Sequence, residues 1–198
     1  MMENAGVDPT AIPKSMTDGQ YEWWVLFGIC VAGKGAKQTE KKLNALLSAG
    51  VGCRWEDECV NSPFARIRFY IKYKQLGWRL RRIKMGQYKR INKAFRAVVK
   101  RTARELMQID TLERIPGIGP KTARMLVLYS DPNADCVPLD THILKYLKAQ
   151  GVPNVPKSTP AAGPTYKRLE AAFQDLALSQ RKTVRELDTE AWKSYAKI

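Results

Sequence analysis

A lysine and an aspartate that follow a glycine-rich turn are the residues of this sequence best suited to chemistry. Lys121 comes directly after the turn 116–119 (PGIG), and Asp140 comes after the next helix and loop. A neutral lysine amine can act as a nucleophile, and a nearby carboxylate can orient it or stabilise positive charge that develops during a reaction. The pair therefore predicts covalent catalysis through an amine.

The turn must separate two short helices, because its residues cannot continue a helix. Pro116 lacks an N–H group, and the glycines tolerate the positive φ of a tight turn. Pro120 suits the first position of a new helix, where its missing N–H costs nothing. Lys121 then lies in the first helical turn, where the positive end of the helix dipole disfavours an ammonium and favours the neutral amine.

The chain can return from this second helix so that Asp140 lies beside Lys121. The helix is ~15 Å long at 1.5 Å per residue. A loop of about ten residues can span up to roughly 33 Å. Asp140 also precedes the apolar pattern THILKYL, for which it is a suitable N-cap. Either residue alone would be interpreted as an exposed helix lysine or a simple N-cap, but their order and spacing favour catalysis.

Two features are typical of a protein that binds a polyanion. The chain has 34 Lys and Arg against 19 Asp and Glu, a net charge of +15. The stretch 72–104 is rich in Lys and Arg and contains no acid. Its basic residues alternate with apolar residues, and this pattern predicts a helix pair with a basic outer side. The turn itself exposes the backbone amides of Gly117, Ile118 and Gly119 at a helix N-terminus, where a DNA phosphate can bind.

The segments IPGIGPKTA and LDTHI resemble the helix–hairpin–helix (HhH-GPD) DNA glycosylase superfamily. In that superfamily the aspartate is catalytic, and a lysine at the position of Lys121 marks the bifunctional, endonuclease III-like members, which excise a base and nick the strand. The resemblance implies an all-α, two-lobed fold with a cleft between the lobes. The glycosylase domain would occupy residues 20–198, with the hairpin at about 108–130. Residues 1–19 would form a flexible arm before it.

The C-terminal part resembles the archaeal-type 8-oxoguanine DNA glycosylases more closely. The segments LDTHILKYLKAQGV and ELDTEAW carry this resemblance. Asp188 and Trp192 match, in type and spacing, a helix that helps to form the base pocket in those enzymes. His142 is expected to pack or cap near the site. The lysine that those enzymes carry beyond this helix would fall after Ile198, where the sequence ends.

The resemblance implies a bifunctional DNA glycosylase/AP lyase of base excision repair that flips out and excises a damaged base, with an oxidised base such as 8-oxoguanine as the best candidate. Its partner would be double-stranded DNA, and the protein would be a monomer. One alternative is a phage-type enzyme that modifies thymine in DNA on the same scaffold. Another is a non-catalytic DNA-binding hairpin domain.

Several further residues are candidates for DNA contacts. The loop after the first core helix reaches into the duplex in the glycosylases, which suggests Lys34 and Gln38 as wedge residues. Phosphate contacts are expected from the basic stretch, at Arg82, Lys84, Lys89 and Arg90.

No cofactor is expected from the sequence. The four cysteines show neither disulfide nor zinc spacing and are interpreted as reduced thiols. Relatives with an iron–sulfur cluster hold it with four cysteines beyond the aspartate, but no cysteine follows Cys136. A monovalent cation could bind at the hairpin. The polar N-terminus lacks a secretory pattern and no long apolar span occurs, so the expected location is the cytoplasm, in association with the nucleoid.

Overall fold

The computed structural model describes residues 16–48 and 62–195, and these residues form helices and no β-strand. The expected all-α class is therefore confirmed. The chain divides into two compact units, Met1–Ile118 and Gly119–Ile198, so the boundary falls inside the glycine turn. No helix in the described part of the chain is long and apolar enough to cross a membrane.

The first unit is built around a helix that is buried along most of its length. This helix, α1 (Asp18–Val31), has apolar side chains on almost every face from Tyr21 to Cys30. It packs against α2 (Ala36–Ser48), α3 (Pro63–Lys72) and α5 (Tyr88–Val98). A helix that is apolar all round belongs in a core. The helices of this unit are α1 (Asp18–Val31), α2 (Ala36–Ser48), α3 (Pro63–Lys72), α4 (Leu76–Arg82), α5 (Tyr88–Val98) and α6 (Ile109–Glu113), with a 3-10 turn at Glu105–Met107.

Helix α1 begins inside the segment that was expected to be a flexible arm. The Thr17 hydroxyl accepts from the Gln20 backbone N–H at 3.3 Å, and the Gln20 side chain accepts from the Thr17 N–H at 2.9 Å. This capping box satisfies two amides at the helix start. Asp18 and Gly19 are therefore helical, and the rest of the expected arm, residues 1–15, lies outside the described residues.

Helix α3 begins at a Ser-Pro pair, a pattern that is typical of a helix start. Ser62 is its N-cap, and its hydroxyl accepts from the Ala65 N–H at 3.0 Å, while Pro63 occupies the first helical position. Glu22 of α1 accepts from the Ser62 hydroxyl at 2.7 Å and from the Phe64 N–H at 3.0 Å. One carboxylate thus joins the start of α3 to α1.

The second unit contains the candidate catalytic residues. Its helices are α7 (Pro120–Leu128), α8 (Thr141–Ala149), α9 (Pro164–Ser179) and α10 (Val184–Tyr195). Helix α10 packs against both α8 and α9. Its start is fixed by Thr183, which exchanges hydrogen bonds with Glu186 in a second capping box. This packing brings the last helix of the chain against the helix that follows Asp140.

Cys30 and Cys136 are free, buried thiols. Burial raises the pKa of each to about 12, so both are protonated at neutral pH. The interpretation of these two as reduced thiols agrees with the structure. Cys53 and Cys59 lie outside the described residues.

Candidate active site

Lys121 lies in the first turn of α7, as the sequence predicted. Gly119 is the N-cap of this helix and Pro120 its first residue. The lysine is half-buried, and its Nζ lies 3.8 Å from Sδ of Met125, one turn further along the helix. A thioether is only a weak acceptor. No described carboxylate lies within 4.0 Å of Lys121 Nζ, so the amine is not held in an ion pair.

Asp140 is the N-cap of α8, which confirms the capping role predicted for it. Its Oδ1 accepts from the His142 N–H at 2.8 Å and from the Ile143 N–H at 3.0 Å. Hydrogen bonds to backbone amides fix the orientation of a carboxylate. Both bonds use Oδ1, so Oδ2 has no partner among the described residues and can act on another group.

The segment that leads into Asp140 is held by side chains of α9. Tyr166 uses its hydroxyl twice, donating to the Val137 carbonyl at 2.9 Å and accepting from the Leu139 N–H at 3.1 Å. Glu170 accepts from the Val137 N–H at 2.9 Å. These bonds satisfy the buried backbone of 137–139, as a buried polar chain requires, and fix where Asp140 begins α8.

The two anchoring side chains are themselves held by Arg124 of α7. Its Nε lies 2.8 Å from Oε1 of Glu170, and its guanidinium lies over the Tyr166 ring at 4.3 Å. From the proline-rich loop, Thr159 donates to the Leu139 carbonyl at 2.8 Å. The helix that carries Lys121 is therefore joined through Arg124 to the segment that carries Asp140.

A second carboxylate, Asp188 of α10, lies in the same neighbourhood. It is only 5% exposed, and its Oδ2 accepts a hydrogen bond from the Tyr129 hydroxyl. Burial raises the pKa of Asp188 to about 7; the hydrogen bond from Tyr129 opposes this rise, the charge of Asp140 adds to it, and the charge of Lys121 opposes it. Asp188 is thus close enough to Lys121 and Asp140 for both charges to act on it.

Two aromatic residues that were expected near a base pocket contact each other. The rings of His142 and Trp192 meet edge to face, with centroids 6.4 Å apart and planes at 75°. Trp192 is half-buried and lies one turn after Asp188 on α10. Nδ1 of His142 is buried without a hydrogen-bond partner among the described residues. The structure therefore brings His142, Asp188 and Trp192 close to the start of α8.

The hairpin offers two backbone amides rather than three. The Ile118 N–H donates to the Ile115 carbonyl at 3.0 Å, and the Ile118 side chain is buried. Gly117 and Gly119 are exposed, and neither N–H has an acceptor among the described residues. Gly117 has a φ of +91°, which is in the region that favours glycine. The free amides of these two glycines can bind a phosphate.

Arg90 is bonded to the backbone of its own unit, although it was expected to contact DNA. Its Nη1 donates to the Gly117 carbonyl at 3.2 Å, its Nη2 to the Ile29 carbonyl at 2.7 Å, and its Nε to Gln87 Oε1 at 2.6 Å. A monovalent cation at the hairpin would have to share the Gly117 carbonyl with this guanidinium. In the described part of the chain, no group of three or more His, Cys, Asp or Glu side chains is placed to hold a metal.

The other basic candidates divide into engaged and exposed side chains. Lys34 is half-buried, and its Nζ donates to the Met85 carbonyl at 2.7 Å, in the segment between α4 and α5. The remaining candidates are exposed: Gln38, Arg82, Lys84 and Lys89. The exposed side chains are free to meet a phosphate, whereas Lys34 would first have to leave its carbonyl.

Sequence reasoning missed the side chains that hold the site together. The side chains of Tyr129, Tyr166 and Glu170 form hydrogen bonds with residues that are 59, 29 and 33 positions away in the chain. No local pattern marks such pairs, so the sequence carried no signal for them.

Two solved structures have a similar fold. The crystal structure of the Methanocaldococcus jannaschii 8-oxoguanine glycosylase/lyase with a 15mer DNA containing 8-oxoguanine aligns with 92% of this chain and 83% of its own, at a TM-score of 0.64 and 16% identity. The 8-oxoguanine DNA glycosylase of the same organism aligns with 92% of this chain and 81% of its own, at a TM-score of 0.63 and 15% identity.

No protein-family profile matches the chain, and the search of curated proteins gave no significant match. At this level of identity the structural similarity shows the fold. The chain therefore has the helical fold of the helix–hairpin–helix DNA glycosylases.

Proposed function

We propose that this protein is a bifunctional DNA glycosylase/AP lyase that excises a damaged base through a covalent bond to Lys121. The observation that carries the proposal is the placement of Lys121 at the start of α7, within electrostatic reach of Asp188. The charge of Asp140 also acts on Asp188. An amine with no ion-pair partner among the described residues, on a glycosylase fold, is suited to nucleophilic attack on a sugar. The similarity to the solved 8-oxoguanine glycosylases supports an enzyme of their type rather than one of the endonuclease III type.

DNA binding in this proposal depends on backbone amides and positive charge. The free N–H groups of Gly117 and Gly119 precede α7 and would accept a phosphate at the positive end of its dipole. The exposed side chains of Arg82, Lys84 and Lys89 would meet further phosphates. Because each neutralised phosphate releases counterions, the affinity for duplex DNA should fall steeply with salt. We expect a monomer on DNA.

The reaction begins when the target nucleotide is flipped out of the duplex, because its glycosidic bond is inaccessible in the stack. The neutral amine of Lys121 attacks C1′ of the sugar, and the base leaves with the electron pair of the glycosidic bond. Ring opening gives an iminium between Lys121 and C1′. Loss of a proton from C2′ then expels the 3′ phosphate by β-elimination, which breaks the strand. Water finally releases the lysine.

Asp140 supplies the negative charge that this sequence of steps needs. Its Oδ1 is held by two amides of α8, which keeps the carboxylate oriented. Oδ2 is then available to stabilise the positive charge that grows on the sugar as the base leaves, and to take the proton that Lys121 loses. The rigid segment 137–139 lets Asp140 do this without reorganisation.

An oxidised purine such as 8-oxoguanine is the base that we propose. Trp192 is half-buried beside His142 and offers a face on which a flipped base can stack. Nδ1 of His142, which has no hydrogen-bond partner among the described residues, adds a polar atom at the same place. The similarity to enzymes described as acting on 8-oxoguanine supports this choice over a pyrimidine.

The test is product analysis on a labelled duplex that carries one 8-oxoguanine. Wild-type protein should release the free base and give a nicked strand with a 3′ unsaturated aldehyde. Lys121→Gln should do neither, whereas Lys145→Gln, an exposed lysine on α8, should behave as wild type. A duplex that is bound tightly but keeps every glycosidic bond would refute the proposal. An altered base would then indicate base modification, and an unchanged duplex would indicate simple DNA binding.

A further inference from the structure

Two aromatic side chains that the proposed reaction does not use are exposed at the corner between α3 and α4. Tyr73, the C-cap of α3, is 51% exposed, and Trp78 of α4 is 44% exposed. No other aromatic side chain in the described part of the chain is exposed. Burial of rings of this size is favourable, so folding usually removes them from water. Two exposed rings in one corner therefore indicate a surface that a partner covers.

A continuous row of ring and cation contacts joins these two side chains. The centroids of the Tyr73 and Phe69 rings are 4.6 Å apart, and those of Phe69 and Tyr70 are 6.1 Å apart. The Arg79 guanidinium lies 4.3 Å from the Tyr70 ring centroid and 5.0 Å from that of Trp78. Because Tyr70 and Arg79 are buried, the middle of this row fixes the positions of its exposed ends.

Uncompensated positive charge lies beside both exposed rings. Lys72 and Lys74 are exposed where α3 ends. Arg82 is exposed one turn after Trp78, and its guanidinium lies 5.8 Å from the Trp78 ring centroid. No described carboxylate lies within 4.0 Å of these three cations, and the stretch 72–104 contains no acid. The corner therefore attracts an anionic partner.

An open groove beside the tryptophan gives such a partner room to enter. The groove has a volume of about 570 Å³. Among the described residues, Trp78, Arg79 and Arg82 line its α4 side, and Ala45 and Leu46 line its α2 side. A volume of this size is typical of ligand sites, and a lining of ring, aliphatic and guanidinium groups suits a flat group that carries negative charge nearby.

Single-stranded nucleic acid combines the two features that this corner can bind. Its phosphates carry negative charge, and its unpaired bases present flat faces that stack on aromatic rings and on arginine. In a duplex those faces are stacked on one another and are inaccessible. An acidic peptide could pair with the cations, but its carboxylates would leave Tyr73 and Trp78 uncovered.

We propose that the corner between α3 and α4 is a binding surface for single-stranded DNA, on which bases stack against Trp78 and Tyr73. The exposed Lys72, Lys74 and Arg82 pair with the phosphates of the same strand. The strand is DNA because the hairpin amides of this protein are proposed to bind DNA. The surface goes beyond the proposed glycosylase reaction, since no step of that reaction needs either ring.

Two single-stranded ligands of equal charge separate stacking from electrostatic attraction. One is a fluorescein-labelled oligothymidylate of about twelve nucleotides, and the other is a tetrahydrofuran-phosphate oligomer of the same length, which has no bases. Fluorescence anisotropy at one salt concentration gives the Kd of each. We expect the wild type to bind oligothymidylate about tenfold more tightly, because stacked bases add affinity that charge alone does not. Equal affinities for the two strands would overturn the proposal.

Substitutions at the tryptophan test whether its ring carries this preference. Trp78→Ala should weaken the binding of oligothymidylate about tenfold and leave the Kd of the base-free oligomer and of a duplex unchanged. Trp78→Phe keeps a ring and should restore most of the affinity. Leu178→Ala removes an exposed apolar side chain of α9 and is the control. Thermal unfolding confirms folding, and Tyr73→Ala replaces Trp78→Ala if that variant is unfolded. A folded variant that keeps the wild-type preference for oligothymidylate would contradict the proposal.

The NMR signals of the indole N–H groups show where the strand binds on the full-length protein. Oligothymidylate should shift the Trp78 signal, which Trp78→Phe identifies by its loss. A shift confined to other indole signals would place the strand elsewhere and overturn the proposal. Polyglutamate that shifts the Trp78 signal and binds as tightly as oligothymidylate would indicate an acidic protein instead. The failure of all duplexes to form a Schiff base would refute the proposed function but would not change these results.

Discussion

Arg90 donates from Nη1 to the carbonyl oxygen of Gly117 at 3.2 Å, and from Nη2 to the carbonyl oxygen of Ile29 at 2.7 Å. One guanidinium thereby joins the hairpin to the last turns of α1. The planar fork of arginine can reach two carbonyls at once, which the single ammonium of lysine does less well. The position of the hairpin amides therefore depends on the geometry of Arg90 and not only on its charge.

Arg90→Lys should weaken DNA binding although it preserves the charge. Loss of one or two charge-assisted hydrogen bonds should lower the free energy of unfolding by about 1–3 kcal/mol. We expect the Kd for a duplex, measured by fluorescence anisotropy, to rise about tenfold, which corresponds to roughly 1.4 kcal/mol. Arg96→Lys on the same helix is the control, because Arg96 is exposed and, among the described residues, bonds only to Asn92. Equal effects of the two substitutions would contradict this role.

Alanine substitutions at the two hairpin glycines should separate stability from DNA binding. At Gly117 the φ of +91° is strained for alanine, and the new Cβ would lie 2.9 Å from Cγ of Arg90. Gly117→Ala should therefore lower the free energy of unfolding by about 1–3 kcal/mol and weaken DNA binding. At Gly119 the φ is −95° and no heavy atom lies within 4 Å of the new Cβ.

Gly119→Ala should accordingly keep the Tm of the wild type and still weaken DNA binding, since the methyl group lies beside an amide that we expect to meet phosphate. Thermal unfolding and anisotropy on the same samples provide the comparison. If Gly119→Ala bound DNA as tightly as wild type, the phosphate contact at that amide would have to be abandoned.

Two substitutions at Asp140 should separate its capping role from its chemical role. Asparagine is as good an N-cap as aspartate, so Asp140→Asn should leave the free energy of unfolding nearly unchanged. Asp140→Ala loses both amide bonds and should cost about 1 kcal/mol in chemical denaturation. Both variants should lose strand cleavage, because neither carries the negative charge. Full cleavage by Asp140→Asn would show that Asp140 is only a cap.

The raised pKa of Asp188 predicts a specific pH dependence of stability. The folded protein binds this proton more tightly than the unfolded chain, whose reference pKa is 3.8, against about 7 in the fold. The contribution to stability is therefore complete below about pH 4 and is lost as the pH rises through about 7. Asp188→Asn has no such proton.

The free energy of unfolding of the wild type should thus fall by roughly a few kcal/mol relative to Asp188→Asn between pH 4 and pH 8. Urea denaturation of both proteins across this range measures the difference, with Asp175→Asn as the exposed control. A difference that stays constant with pH would mean that Asp188 titrates alike in the folded and unfolded chains.

The sequence predicted those features that depend on neighbouring residues. The positions of Asp140 before α8 and of Lys121 in the first turn of α7 both follow from local backbone chemistry, and the structure confirms both. The all-α class was implied by the resemblance of the segments IPGIGPKTA and LDTHI to the helix–hairpin–helix DNA glycosylases. These predictions needed no knowledge of packing.

Partners far apart in the chain were not predictable in this way. Nothing in the basic stretch distinguished Arg90, which bonds to two carbonyls, from exposed Lys89 beside it. Likewise, the pattern around Asp188 suggested a base contact, whereas its carboxylate bonds to Tyr129, 59 residues away. Burial and hydrogen bonding decide such roles, and both arise only when the helices pack.

Borohydride trapping tests the central claim most directly. Labelled duplexes carrying 8-oxoguanine, an oxidised pyrimidine, uracil or an abasic site would be incubated with the protein and reduced, so that any iminium becomes a stable amine. We predict a covalent adduct with the abasic and 8-oxoguanine duplexes that is unchanged in Lys145→Gln and absent in Lys121→Gln. The absence of an adduct on every duplex despite tight binding, or an adduct that persists in Lys121→Gln, would contradict the assignment of Lys121 as the nucleophile.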